Sequence, residues 1–262
     1  MPVTLGSTLE QRAIFLAAVC GQTYTQFKNP DGSFVVPAGY RLHDTITAKS
    51  ISGTRERFGF ILESPQEIII AFRGTSSIED WISDFIASQK RFKFIKEYVL
   101  THRGFTDIYS STRNKLMSSL NKLSSSKKLY ITGHSLGAAL ASLCALDVAA
   151  NTSFASLQLF TFGSPRVGDP AFSKACAQYI PGSFRIANLY DIVPLAPPTV
   201  YKIPKQEETF YYNHIKSRWM LEFQNGSVSL NHVISSYYNE LVKDQPEFAR
   251  MLHIQNPGFC PS

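Results

Sequence analysis

A chain of 262 residues suits one α/β domain or two small ones, and at this length folding buries about 70–75% of the unfolded surface without staples. Hydrophobic residues make up 44%, charged residues 18% and aromatics 13%, which excludes a disordered or fibrous chain. The net charge of +6 comes from Lys and Arg spread along the chain; a nucleic-acid partner is not expected without a basic face or a supporting motif.

Thr8 to Tyr24 reads as a helix capped by Thr8, with Leu9, Ala13, Leu16, Ala17 and Cys20 at helical spacing. Arg57 to Glu63 and Glu67 to Arg73 form a hairpin-like pair around Ser64-Pro65-Gln66. Its second arm, Ile68-Ile69-Ile70-Ala71-Phe72, is apolar throughout, as a strand covered on both faces would be. The densest basic run, Lys90 to Lys96, alternates with Phe92, Phe94 and Ile95 and reads as an extended segment with one wet face. Phe105 to Leu123 is a long helical pattern, and Ser124-Ser125-Ser126 is a loop.

Leu129-Tyr130-Ile131 is a short strand and Leu136 to Ala150 an Ala-rich helix. Leu157 to Gly163 and Ser183 to Tyr190 are strands, with Asp169 to Tyr179 helical between them. Thr209 to Tyr212 and Trp219 to Phe223 are late strands, Ser227 to Leu230 is strand-like, and Asn231 to Lys243 is a closing helix. Strands alternating with helices predict a single α/β domain over residues 1–262 with a mostly parallel sheet.

The four cysteines, Cys20, Cys144, Cys176 and Cys260, show no C-x-x-C and no metal spacing. No structural disulfide and no metal are expected, and Cys176 with Cys260 is the pair left open. No signal-peptide pattern precedes the first helix, and no run approaches the ~18–20 apolar residues of a membrane span.

The chemistry centres on Gly133-His134-Ser135-Leu136-Gly137, placed where the strand ends and the helix begins. A Gly-x-Ser-x-Gly in that context is a nucleophile elbow: two residues without Cβ let strand and helix approach, and the serine hydroxyl is presented at a helix N-terminus. A serine needs a base, and the base an orienting acid, in the chain order Ser, acid, His. His43 and His102 precede Ser135, and His134 adjoins it, so its side chain must point elsewhere. Of His214, His232 and His253, His232 has the best context, at a turn where a helix begins. Among the acids, Asp147 lies inside the elbow helix and Asp169 in a Gly-Asp-Pro turn. Asp191 follows a strand at the end where parallel sheets build their sites. For the oxyanion, one donor is the Leu136 N–H, and Thr75, in the loop after the most apolar strand, supplies a second.

Phe72-Arg73-Gly74-Thr75, the elbow, Phe162-Gly163-Ser164-Pro165-Arg166-Val167-Gly168, Asp191-Ile192-Val193-Pro194 and His232 together resemble the class 3 lipases, the family of filamentous-fungal triacylglycerol lipases. The resemblance runs from about Thr8 to Tyr238. It implies an α/β-hydrolase without a cofactor, Ser135, Asp191 and His232 as a triad, and Thr75 with Leu136 as the oxyanion hole. It also implies secretion, whereas the missing signal pattern implies a cytoplasmic location by default, so location stays open.

After Thr75, residues Ile78, Trp81, Ile82, Phe85 and Ile86 recur at i, i+3, i+4, i+7 and i+8, an apolar stripe on a short helix. The pattern alone fits a core-facing helix equally well; its place beside the oxyanion loop favours a lid, where the family carries one. The expected function is a serine carboxylester hydrolase acting on lipid esters, a triacylglycerol lipase with lid-gated access. An esterase, a phospholipase A1 or a feruloyl esterase on the same scaffold, or a non-catalytic lipase-like interaction protein, are the alternatives. The expected partners are a lipid ester and, transiently, a lipid–water interface, with the chain a monomer or weak oligomer.

Overall fold

The computed structural model describes residues 7–50, 52–75, 87–202 and 208–261. Helix α1 (Leu9–Lys28) opens the chain, and the Thr8 side chain accepts from the Gln11 N–H as its cap. Strands β1 (Arg41–Lys49), β2 (Arg55–Glu63) and β3 (Glu67–Phe72) follow, joined antiparallel. A short antiparallel pair, β4 (Gln89–Arg91) and β5 (Leu100–His102), leads into α2 (Arg103–Leu120). Then come β6 (Lys128–His134), α3 (Leu136–Asn151), β7 (Leu157–Phe162), α4 (Pro170–Tyr179) and β8 (Ser183–Asn188). A second small pair, β9 (Val200–Lys202) and β10 (Thr209–Tyr211), precedes β11 (Arg218–Leu221), α5 (Ile234–Leu241) and α6 (Pro246–Gln255).

The main sheet has seven strands in the order β1-β2-β3-β6-β7-β8-β11. From β3 to β11 every neighbouring pair is parallel, so the sheet is the mostly parallel one expected. Helices cover both faces. Ile68, Ile70 and Phe72 of β3 pack with α2, α3 and α4, while Ile69 and Ala71 pack with α1, α5 and α6. The unbroken apolar run of β3 is the direct result: a strand buried on both faces has no position left for a polar residue. Helix α3 is buried on every side from Leu136 to Val148, and apart from Ser142 and Asp147 it is built of apolar and small residues for the same reason.

Four sequence expectations are corrected. Only Gln89–Arg91 of the basic run is a strand; the chain then turns, with Phe92 fully buried and its N–H donating to Val99 O at 3.0 Å. Ser227 to Leu230 is a turn, closed by Asn231 N–H to Ser227 O at 3.0 Å. Helix α5 starts at Ile234 and not at Asn231. Strands β1 and β9 and helix α6 lie where no element was expected. All four thiols are free, and Cys176 and Cys260 belong to the clusters on opposite faces of the sheet, so they do not pair. Among the described residues no helix is long and apolar enough to cross a membrane.

Candidate active site

Ser135 caps α3 directly after β6, with φ 59° and ψ −128°. A non-glycine residue in this region costs of order 1–3 kcal/mol and persists only where its surroundings hold it. They do. The Ser135 N–H donates to Phe162 O at 3.0 Å, and its carbonyl accepts from Ala138 N–H at 2.9 Å. A Cβ on Gly133 would lie 2.2 Å from Gly137 O, and one on Gly137 would lie 2.2 Å from Phe72 O. Strand, turn and helix therefore meet at a separation only glycine permits. The Ser135 Oγ is buried and has no hydrogen-bond partner among the described residues. Beside it stands the first turn of α3, where the Leu136 N–H is among the donors a helix leaves unpaired.

Asp191 lies in the turn after β8, and His232 in the turn before α5. His232 Nδ1–H donates to Asp191 Oδ2 at 2.6 Å, both side chains being fully buried. The same oxygen accepts from Tyr237 O–H at 2.7 Å, and Oδ1 accepts from Val193 N–H at 2.9 Å. Tyr237 in turn accepts from Asn188 N–H at 3.0 Å. The Asn188 amide holds Asn231 O at 3.1 Å and accepts from Phe223 N–H at 3.1 Å, which ties the end of β8 to the His232 turn. With Nδ1 donating to Asp191, Nε2 is the ring atom left to face the serine, and it is buried without a partner among the described residues. Gly163, at φ +55°, fits between the pair: a Cβ there would lie 2.9 Å from Asp191 Oδ2 and 3.0 Å from His232 Cε1. Its neighbour Phe162 is the residue that holds the Ser135 N–H, so serine, acid and histidine surround one short stretch of backbone.

His134 does point away from Ser135, yet it joins the same assembly. Its Nδ1 is 2.7 Å from Tyr24 Oη and its Nε2 is 2.7 Å from His232 O. A carbonyl only accepts, so Nε2 carries the hydrogen and Nδ1 accepts from the tyrosine. The ring also lies against that of His232, centroids 4.6 Å apart. Burial, and then the neighbouring His232, hold the His134 ring well below the usual histidine range. His214 is held near 3 by burial and then by Arg185. Both rings are thus neutral when folded and take up a proton near pH 6.5 when unfolded. A depressed folded value gives stability that is complete above the unfolded pKa and lost as pH falls. Each ring contributes a slope of up to roughly 1.4 kcal/mol per pH unit. Urea unfolding between pH 7 and 4.5 is expected to lose stability from about pH 6 with uptake approaching two protons; unchanged stability from pH 7 to 5 would contradict it.

The set-aside candidates have other work. Asp147 accepts from Tyr109, Arg113 and Asn151, and Asp169 caps α4. His214 holds Pro194 O at 2.7 Å, and His253 is exposed. Thr75 lines a cleft of about 670 Å³ with Tyr24, Phe27, His134, Val228 and Val233. The backbone before it is tight against the elbow, since a Cβ on Gly74 would lie 2.9 Å from Ser135 Cβ. The lid positions Ile78, Trp81, Ile82 and Phe85 lie outside the described residues. Sequence reasoning missed Tyr24, His134 and Tyr237. Tyr237 carried one signal, its place on the helix that follows His232.

The family model Lipase (class 3) matches residues 69–201, the stretch that holds the elbow, Gly163 and Asp191. This chain belongs to the class 3 lipase family and has its α/β-hydrolase fold. It is 39% identical over 145 residues to a lipase of Rhizomucor miehei, covering 53% of this chain and 40% of that protein. It is 28% identical to phospholipase A1-IIgamma of Arabidopsis thaliana, covering 71% and 51%. The solved structure of lipase II from Rhizopus niveus superposes with a TM-score of 0.63 at 26% identity, covering 72% of this chain and 75% of that one. The chain spans about half the length of the curated relatives it matches.

Proposed function

We propose that the protein is a serine carboxylester hydrolase acting on lipid esters. The observation that carries this reading is the buried line Tyr237–Asp191–His232, ending in an unpartnered Nε2, together with an unpartnered Ser135 Oγ on a strained elbow. A ring nitrogen and a hydroxyl that each lack another partner are what acyl transfer requires of a base and its nucleophile. Ser135 attacks the ester carbonyl while His232 Nε2 takes its proton, and Asp191 keeps the ring oriented and stabilises the imidazolium. The tetrahedral oxyanion is held by the N–H groups of Leu136 and Thr75 at the positive end of α3. His232 then protonates the leaving alcohol, and water, deprotonated by the same ring, releases the acid.

The surroundings favour a lipid over a small soluble ester. Leu189, Tyr190, Ile192 and Leu195 are exposed around Asp191, and Val228 and Leu230 are exposed just before His232. Large apolar side chains exposed on both turns that carry the site suit contact with an apolar phase. The stripe of Ile78, Trp81, Ile82 and Phe85 fits a lid whose apolar underside covers the cleft in water and turns outward at an interface. Likeness to a phospholipase A1 supports a second substrate class, phospholipid, on the same machinery.

The test is hydrolysis of esters of increasing chain length, below and above their solubility limit, with emulsified triglyceride, phospholipid and feruloyl esters in parallel. A jump in rate when the interface forms is expected, with triglyceride the best substrate. A rate that saturates below the solubility limit makes the protein an esterase, and a preference for phospholipid makes it a phospholipase A1.

A further inference from the structure

Three arginines and a histidine meet at the β8–β11 edge of the sheet with no carboxylate among them. Arg185 and Arg218 are direct partners in the parallel register of β8 and β11, so their side chains leave the same face of strands about 4.8 Å apart. Arg166, after β7, donates from Nη1 to the carbonyls of Leu195 and Pro197, the latter at 2.6 Å. His214 lies within electrostatic reach of all three and is held by its bond to Pro194 O.

Arg185 is the anomaly. Buried Arg12 and Arg73, and half-buried Arg113, each hold a carboxylate, from Glu67, Glu56 and Asp147. Arg185 is half-buried with its Nε fully so, yet among the described residues that Nε has no hydrogen-bond partner and no carboxylate pairs with Arg185, with Arg218 or with Arg166. Burial, and then the charges of Arg218 and Arg166, push Arg185 down to about 10. A desolvated, unpaired cation facing two like charges is costly for the fold. The cost is removed by a polyvalent oxyanion, which accepts the planar fork of one arginine bidentately and neutralises its neighbours.

We propose that Arg185 and Arg218, with Arg166 at the rim, form a binding site for a phosphate-class oxyanion, carried free or on a lipid headgroup. The site adjoins the candidate active site through the chain itself. Arg166 and His214 hold the carbonyls of residues 194–197, the segment that follows Asp191. Leu195, exposed beside them, is positioned to meet the same surface as a headgroup.

The experiment uses the full chain, the variants R185M and R218E, and two probes. The first is inorganic phosphate at constant ionic strength, followed by calorimetry and melting temperature. The second is sedimentation with vesicles of ether-linked phosphatidylcholine, with and without ether-linked phosphatidic acid, which ester hydrolysis cannot consume. Wild type is expected to bind one phosphate saturably and to melt several degrees higher at about 100 times Kd. R185M and R218E are expected to bind at least about tenfold more weakly. R218E sets a carboxylate beside Arg185, so without phosphate it is expected to melt higher than wild type; that gain shows the variant is folded. Response to inorganic phosphate assigns a free ligand. Binding only to phosphatidic acid vesicles, lost in R218E, assigns a headgroup. The proposal is overturned if neither probe gives saturable binding, or if both variants bind as wild type does.

Discussion

Alanine at His232 is expected to lower kcat on a soluble short-chain ester by about 10⁴–10⁶-fold, and S135A by a similar factor. The double variant is expected to be no worse than either single one. This non-additivity is the informative part. Ser135 Oγ and His232 Nε2 are both buried without hydrogen-bond partners, so each has value only with the other present. Once one is gone, removal of the second costs nothing further, and the residual rate reflects binding and the oxyanion donors alone. The variants are well suited to the comparison. H232A leaves the backbone carbonyl that accepts from His134, and Asp191 keeps its bonds from Tyr237 and Val193. Melting temperature therefore serves as the control for folding. A double variant far below both singles would mean that the two residues act independently, and an S135A protein with ordinary activity would place the nucleophile elsewhere.

What was legible in the sequence and what was not divide along one physical line. The elbow was legible because its demands are local: two glycines, one serine, a strand before and a helix after. The apolar run of β3 was legible because burial on both faces leaves a mark at every position. The Asp191–His232 pair that the structure brings together was foreshadowed by the place of Asp191 after a strand and by the chain order of His232. Tyr24, His134 and Tyr237 were not. Their roles depend on which elements touch across the sheet ends, and nothing around Tyr24 in sequence foretells a bond to His134, 110 residues away. Strand β1 escaped because its exposure is irregular: only Ile46 and Ala48 are fully buried, and the register slips twice against β2, so no clean two-residue period survives. The basic run misled for the opposite reason. Its alternation was real as burial, but Phe92 reaches the core from a chain that is already turning.

The strain at Ser135 and the order of the assembly are linked. A φ of 59° at a serine survives because β6, β7 and α3 fix the residue from three sides. The His232 turn is fixed as firmly, through Asn188, Tyr237 and the His134 ring. In the proposed mechanism, rigidity on both sides leaves Ser135 and His232 little to reorganise, which is the condition under which fixed dipoles contribute most to catalysis.

Asparagine at Asp191 is expected to cost about 10⁴-fold in kcat with KM little changed, because it reverses the histidine tautomer. Three donors converge on the carboxylate: His232 Nδ1–H and Tyr237 O–H on Oδ2, and Val193 N–H on Oδ1. An amide has one oxygen to offer. With that oxygen kept on Val193, the NH₂ faces His232 Nδ1, which must then accept, and the hydrogen moves to Nε2, where it blocks uptake of the Ser135 proton. With the amide flipped, the NH₂ meets the Val193 N–H and leaves it buried and unpaired, a penalty of about 1–3 kcal/mol. The first arrangement deprives the Tyr237 O–H of its acceptor, but a hydroxyl can rotate where the Val193 N–H cannot, so it is preferred, and the protein stays folded but inactive. Y237F is the graded counterpart. It removes one donor from Oδ2 and orphans the Asn188 N–H, yet leaves the second oxygen and the tautomer intact, so a loss nearer tenfold is expected from a bond of about 1.5–3 kcal/mol to a charged group. Nitrogen-15 spectra of the imidazole distinguish the two cases, with the His232 proton on Nδ1 in wild type and Y237F and on Nε2 in D191N. A D191N protein within tenfold of wild type would remove Asp191 from the proposed triad.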